Sequence, residues 1–226
     1  MDLETRLATR FAVDHPVEAA RAFDRLPAPD VATLLRELDV EPAARAVQHM
    51  SRRAAAAVVA ELDPARLTAI FEQLPTETAA LFLRHMDGSV RQDLLAALSR
   101  RRARELGAVL TYPEGTAGSL MDPEVLALAQ ELTVEEAVDR VREAAGEARY
   151  NLYVVDRDQL LVGVVNLREL LMAEPGAPLS SLMKTAVHRL SARADRPTVV
   201  SHPGWRLVHA LPVVDERGRY LGAVRY

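Results

Sequence analysis

The sequence predicts an N-terminal superhelix of short helices, taken as the right-handed type, followed by a smaller α/β body that occurs twice. The second copy is eroded and incomplete. Three observations predict this class. Residues 1–111 hold only two of the ten glycines, Gly88 and Gly107, and are dense in Ala, Leu, Arg and Glu, the strong helix formers. Apolar residues recur there at a fixed interval. Residues 112–226 carry the other eight glycines and turn-bounded apolar runs such as Leu152-Tyr153-Val154-Val155, which read as strands.

The interval defines the first part. Leu26, Met50, Leu74 and Leu98 lie 24 residues apart, as do Leu38, Leu62, Met86 and Leu110. Pro27, Ser51, Pro75 and Ser99 follow the first series, and Asp39, Asp63 and Asp87 follow the second. Most of these types favour helix N-termini. Each unit therefore holds two short helices. Val31, Leu34, Leu35 and Leu38 form one helical stripe, and Leu67, Ile70, Phe71 and Leu74 form another. Helices this short are marginal alone, but stacked stripes share a core. About eight helices over residues 15–110 are expected, and the spacing itself admits either hand.

The second part reads β-α-β-β-α. Glu124–Leu128 is a strand candidate. Thr133 and Glu136 have capping-box spacing before a helix running to Ala145. Leu152–Val155 is a buried strand, Asp156–Gln159 a turn, and Leu160–Val165 the returning strand. Asn166 can cap a helix over Leu167–Ala173, stopped by Pro175-Gly176. A weaker copy follows 59–62 residues later: Leu182-Met183 echoes Leu120-Met121, Leu211–Asp215 echoes Leu152–Asp156, and Tyr220–Val224 echoes Leu161–Val165. The expected domains are 1–111, 112–182 and 183–226.

Composition excludes several function classes. The net charge is −4, so no global basic field draws nucleic acid. There is no cysteine, hence no disulfide framework, thiolate nucleophile or sulfur-based zinc site. Apolar runs such as Ala54–Ala60 fall far short of the ~20 residues that cross a bilayer. Met1-Asp2-Leu3-Glu4 lacks the basic start of a signal peptide, and a cytoplasmic location is expected. Lys184 is the only lysine among the basic residues, an imbalance attributed to coding bias. The Arg100-Arg101-Arg102 run with Arg104 reads as a solvated helix face. Six scattered histidines, no Gly-x-Ser-x-Gly elbow and no phosphate loop give no catalytic constellation, so no enzyme is expected. Trp205, Tyr220 and Tyr226 are expected to share a small apolar contact.

The duplicated strand–Asp-turn–Leu-x-Gly-x-Val pattern resembles cystathionine-β-synthase (CBS) domains. The junction Tyr112-Pro113-Glu114-Gly115-Thr116-Ala117-Gly118-Ser119-Leu120-Met121, with Tyr150–Asp156 and Gly163–Ala173, resembles the join between the helical N domain and the CBS pair of MgtE-type magnesium transporters. The likeness covers nearly the whole chain. It implies a cytosolic regulatory region beneath a membrane channel domain, a homodimer through CBS domains, and Mg²⁺ bound between acidic surfaces of the N and CBS domains so that ion binding gates the channel. A hard divalent cation prefers carboxylates and water and holds like-charged faces together. The same family tunes this with adenine nucleotide in the CBS cleft.

The chain departs from that pattern. It has no membrane helices, so an excised region and a stand-alone paralogue are both open. It stops at Tyr226, before the family's final CBS helix with its acidic metal ligands. Pro197, Pro203 and Gly204 interrupt the helix of the second repeat, and Leu207 stands at an acidic position. In the helical part, Ala57, Ser89 and Gln92 replace expected acids; Asp87 and Asp93 remain, with Glu61 and Asp63 one repeat earlier. These four are the candidate Mg²⁺ ligands, although Asp39, Asp63 and Asp87 are also placed to cap helices. In the cleft, Asn166-Leu167-Arg168-Glu169 stands where the family has Ser/Thr-x-x-Asp. Asn166 keeps a polar cap, Glu169 would hold ribose, and Arg168 would meet phosphate of ATP or AMP. Asn151 replaces an aromatic beside the adenine. Leu167, Leu170, Leu171, Val138 and Val141 are the expected dimer face. The preferred expectation is a magnesium-sensing module without catalysis; the alternatives are a non-sensing scaffold and a nucleotide-responsive CBS module.

Overall fold

The computed structural model describes residues 3–144 and 151–225, with side chains from residue 9 onward. The chain divides into two units, Met1–Gly107 and Ala108–Tyr226.

The first unit is built of short helices: α1 (Leu3–Asp14), α2 (Pro16–Phe23), α3 (Ala28–Glu37), α4 (Val40–His49), α5 (Arg52–Ala60), α6 (Pro64–Gln73), α7 (Thr76–His85), α8 (Gly88–Ala97) and α9 (Arg100–Leu110). From α3 onward each helix starts 12 residues after the one before, at residues 28, 40, 52, 64, 76, 88 and 100. The 24-residue interval is thus two turns of a simpler period. Its cause is a two-residue reversal. Leu38 (φ −68°, ψ 152°) and Asp39 (φ −59°, ψ 156°) are both extended, and they end α3 and begin α4. Leu38, Met50, Leu74 and Leu98 end their helices in this conformation with buried side chains. Leu26 breaks the pattern and is 47% exposed, because α2 has already ended at Phe23. Even-numbered helices stack on even ones (α2 on α4, α4 on α6, α6 on α8) and odd on odd (α3 on α5, α5 on α7). The result is a two-column repeat stack with one continuous core.

Polar side chains repeat with the helices. Asp24 accepts from the Ser51 amide at 2.9 Å, and Glu72, 48 residues later, accepts from the Ser99 amide at 2.5 Å. Arg66 donates to the Leu35 and Leu38 carbonyls at the end of α3; Arg102, 36 residues later, does the same to Phe71 and Leu74 at the end of α6. These guanidinium groups satisfy carbonyls that a helix end leaves without partners. The Arg100–Arg104 run is therefore not wholly a solvated face. Arg102 is 7% exposed and pairs at 2.9 Å with Glu105, itself 6% exposed.

The second unit opens with α10 (Ala117–Leu120), then β1 (Ala127–Ala129), α11 (Val134–Glu143), β2 (Asn151–Val155), β3 (Leu161–Asn166) and α12 (Leu167–Met172). A 3-10 turn (Leu179–Ser181) leads to β4 (Leu190–Ser191), α13 (Arg196–Val200), a second 3-10 turn (Pro203–Arg206), β5 (Ala210–Val214) and β6 (Tyr220–Arg225). Two three-stranded sheets result, in the orders β1-β2-β3 and β4-β5-β6, each with one parallel and one antiparallel pair. This is the duplicated β-α-β-β architecture expected of a CBS pair.

The local chemistry explains the boundaries. Thr133 and Glu136 form the expected capping box at the start of α11; Ala145 and Tyr150 lie outside the described residues. The strand expected at Glu124–Leu128 is confined to Ala127–Ala129, since only these residues pair with β2, while Asp122 bends the chain by accepting from the Glu124 amide. Pro197 does not interrupt a helix but stands in the first turn of α13, where its missing N–H costs nothing. Pro203 and Gly204 open the 3-10 turn beyond it. The hairpin turns are copies of each other. Asp156 Oδ1 accepts from Asp158 and Leu160, and Asp215 Oδ1 accepts from Arg217 and Arg219.

The two repeats exchange their leading segments. Asp122 pairs in both directions with Ala223 of β6, and Lys184 pairs in both directions with Val164 of β3. Likewise Thr116 bridges Asp195 while Thr133 bridges Pro178, each pair being the other shifted by about one repeat. Between the sheets, Tyr153 stacks 5.3 Å from Tyr220, and their hydroxyls donate to the Ala210 and Val125 carbonyls. Desolvation by burial pushes both phenol pKa values well above the ordinary value. Tyr220 thus packs against Tyr153; the Trp205 indole donates instead to the Val199 carbonyl, and Tyr226 lies outside the described residues.

Candidate functional site

Two places gather the side chains singled out by the sequence. In the helical unit a groove of about 610 Å³ is lined by residues of α5, α6, α7 and α8 and the turns between them, among them Leu62, Leu67, Phe82 and Met86. Its walls are mostly apolar, because α5 offers Ala56, Val59 and Ala60 and α8 buries only Leu94 while leaving Val90 45% exposed. Asp87 and Asp93 both line this groove. Asp87 stands at the N-cap of α8 yet makes no capping bond through its side chain. Asp63, by contrast, caps α6 by accepting from the Arg66 amide at 2.9 Å, and it lies 3.9 Å from Arg36. Glu61 ends α5, and its carbonyl accepts from Arg36 at 2.6 Å. Asp87 and Asp93 thus share the lining of this groove, and Glu61 and Asp63 are not part of it. Among the described residues no group of three or more His, Cys, Asp or Glu side chains is placed to hold a metal ion. Two exposed carboxylates with water are still a donor set that suits Mg²⁺, which keeps much of its hydration shell.

The second place lies where β3 runs into α12. Asn166 is the N-cap of α12, and its side-chain oxygen accepts from the Arg168 amide at 2.9 Å. Its polar atom is thus spent on the helix, as expected of a cap. Glu169, in the first turn of α12, pairs with Lys184 at 2.7 Å. Both side chains are substantially exposed (46% and 64%), and such a pair contributes roughly 0–1 kcal/mol. The Arg168 guanidinium is exposed and has no carboxylate or carbonyl partner among the described residues. Asn166, Arg168 and Glu169 thus lie at the start of α12, and they are joined there by Lys184, which sequence reasoning missed. The 15-residue separation from Glu169 follows no helical or strand period. The signal available was the match of Leu182-Met183 to Leu120-Met121, which marks this stretch as a leading segment.

A third surface flanks α11 and α12. Leu170 is fully buried in its repeat's own core and does not belong to an outer face, in contrast to the sequence expectation. Val138, Val141 and Leu167 are partly buried against that core, whereas Leu171 is 59% and Met172 81% exposed. A shallow recess of about 270 Å³ lies beside them, lined in part by Val134, Val138 and Pro175.

Comparison with known proteins places both units. Residues 14–115 match the MgtE intracellular N domain, and residues 117–176 match the CBS domain. The chain is similar to the magnesium transporter MgtE of Thermus thermophilus, with 36% identity over 144 residues, 63% of this chain and 32% of that protein. It is also similar to the magnesium transporter MgtE of Bacillus subtilis, with 26% identity over 216 residues, 92% of this chain and 47% of that protein. The chain thus spans about a third to about half of the length of these relatives. A crystal structure of the cytosolic domain of the Mg²⁺ channel MgtE in complex with ATP matches 98% of this chain and 92% of its own, with 32% identity and a TM-score of 0.86. No helix among the described residues is long and apolar enough to cross a membrane.

Proposed function

The chain belongs to the MgtE family, and from that premise we propose that it is the magnesium-sensing cytosolic region of an MgtE-like transporter, or a stand-alone paralogue of that region. It carries out no catalysis. Mg²⁺ sets how the helical and CBS units pack, and that packing gates a membrane channel domain. The observation that carries this reading is the likeness, over almost the entire chain, to the cytosolic domain of a Mg²⁺ channel. Asp87 and Asp93 are the residues of the helical unit best disposed to contact the ion, since neither is used as Asp63 is used in capping α6. Glu61 and Asp63 are secondary ligands. With many expected acids replaced, the affinity is weak and the response lies in the millimolar range.

The test is a Mg²⁺ titration followed by small-angle scattering and limited proteolysis. Millimolar Mg²⁺ compacts the particle and protects residues 108–122 from cleavage, and D87N/D93N shifts both responses to higher Mg²⁺. Absence of any response would leave a scaffold that kept the fold and lost the sensing.

A second reading is favoured by the ATP bound to the similar cytosolic domain. Here the cleft at β3 and α12 binds ATP or AMP, with Glu169 toward the ribose and Arg168 toward phosphate. The charge and exposure of those two side chains support it. Calorimetry with ATP and AMP tests it, and E169A should remove the heat. Two copies associate through the exposed Leu171 and Met172 face to give a cytoplasmic homodimer.

A further inference from the structure

The start of α12 has one cationic neighbour beyond those expected there, Lys184, paired with Glu169. It arrives from the segment leading into the second repeat, and its backbone is pinned to β3: its amide donates to the Val164 carbonyl at 2.9 Å and its carbonyl accepts from the Val164 amide at 3.0 Å. The same segment lies flat on the strand. Met183 occupies the space a Cβ at Gly163 would take, 1.9 Å from that position. Lys184 is therefore held beside β3 by its backbone, and its Nζ reaches Glu169 at 2.7 Å.

We propose that Lys184 is a specificity-determining residue of this cleft, neutralising Glu169 in the free protein and passing to a ligand phosphate when ribose hydroxyls take the Glu169 carboxylate. This rests on the nucleotide reading and adds to it a second phosphate-facing cation, which sharpens the preference for a phosphorylated nucleoside over a nucleoside. Ribose hydroxyls donate to a carboxylate and compete with an ammonium for its lone pairs. An ammonium displaced from its carboxylate needs another anion, and a phosphate beside Arg168 supplies one. An exposed ion pair is cheap to open, so the exchange needs no rearrangement of the strand or of α12. Adenosine offers the hydroxyls but no second anion, and it leaves Lys184 without a partner.

Lys184 is the only lysine in the chain, which makes the test clean. Calorimetry of the whole chain and of K184M with ATP and adenosine should show ATP bound at least about tenfold more tightly than adenosine by the wild type. In K184M that ratio should fall severalfold, the remainder being due to Arg168, with an unchanged thermal melt as the control for folding. Periodate-oxidised ATP gives a second readout. Its ribose aldehyde and the Lys184 amine form an imine with loss of water, and borohydride reduces the imine to a secondary amine. Peptide mapping should find the label at Lys184, and excess ATP should block it. If ATP binds but the ratio is unchanged in K184M and Lys184 is unlabelled, the role of Lys184 is overturned while the nucleotide reading stands. If neither ligand binds to either protein, both fall.

Discussion

Arg102 and Glu105 form an ion pair 2.9 Å long, with both side chains less than a tenth exposed, in a stretch that holds four arginines within five positions. Arg102 also donates to the Phe71 and Leu74 carbonyls and to Thr76. The pair sits at the end of α6 and ties α9 to it. R102A removes every one of these donors and leaves the buried Glu105 only the exposed Arg101, 3.0 Å away. The expected loss is about 3–5 kcal/mol, read as a lower urea midpoint with an unchanged slope. R100A, on the exposed side of the same run, should change stability by less than about 0.5 kcal/mol. Equal effects of the two substitutions would show that the buried clamp contributes nothing.

Gly222 and Gly163 hold equivalent places in β6 and β3 and should respond differently to alanine. A Cβ at Gly222 would lie 2.4 Å from the Asp122 carbonyl oxygen, and its φ of +151° suits glycine. A Cβ at Gly163 would meet the Met183 side chain, which is flexible and can repack. G222A should therefore cost about 3 kcal/mol, the upper end of what overpacking typically costs, and G163A about 1 kcal/mol. Thermal melts of the two variants decide the order, and the reverse order would refute the explanation.

The capping box of α11 makes stability depend on pH. Hydrogen bonds from Thr133 hold the Glu136 carboxyl pKa below its ordinary value, and Thr198 does the same for Asp195 at the start of α13. A carboxyl depressed in the folded state stabilises it above the unfolded pKa, about 4, and that contribution disappears as the pH falls through the folded value. The melting temperature of E136Q should lie below wild type near neutral pH, and the gap should narrow as the pH is lowered past about 4. A gap independent of pH would assign the effect to packing.

Leu171 and Met172 project from α12. If copies associate through this face, M172E with L171D should convert a dimer into a monomer by light scattering, with no change in circular dichroism. A wild type that is monomeric at high concentration would remove the dimer from the proposal.

The helical unit was legible because its period is enforced by backbone geometry. A helix of about ten residues plus two extended residues returns a buried Leu or Met to the same place, so the leucine series marks helix ends directly. The capping box at Thr133 and the Asp156 and Asp215 turns were legible for a similar reason, since each is a bond between near neighbours. Arg102 was not. A charge run looks solvated in sequence, and its burial depends on carbonyls about thirty residues earlier; the available clue was the recurrence of Arg66 at a multiple of the helix period. Lys184 was hidden because its partner belongs to the other repeat. Asp87 and Asp93 line the same groove, and the absence of Glu61 and Asp63 from its lining depends on which helix ends face it.

The exchange of leading segments gives the second unit a property that neither repeat has by itself. Asp122 completes the edge of a sheet about a hundred residues downstream, and Lys184 completes the edge of one already made. A cut near residue 176, at the end of the stretch that matches a single CBS domain, would tear a seam on both sides at once. The duplication reads as two copies in the gene, but with each copy's edge bonded to the other's leading segment the two are expected to melt and refold together, as one interlocked piece.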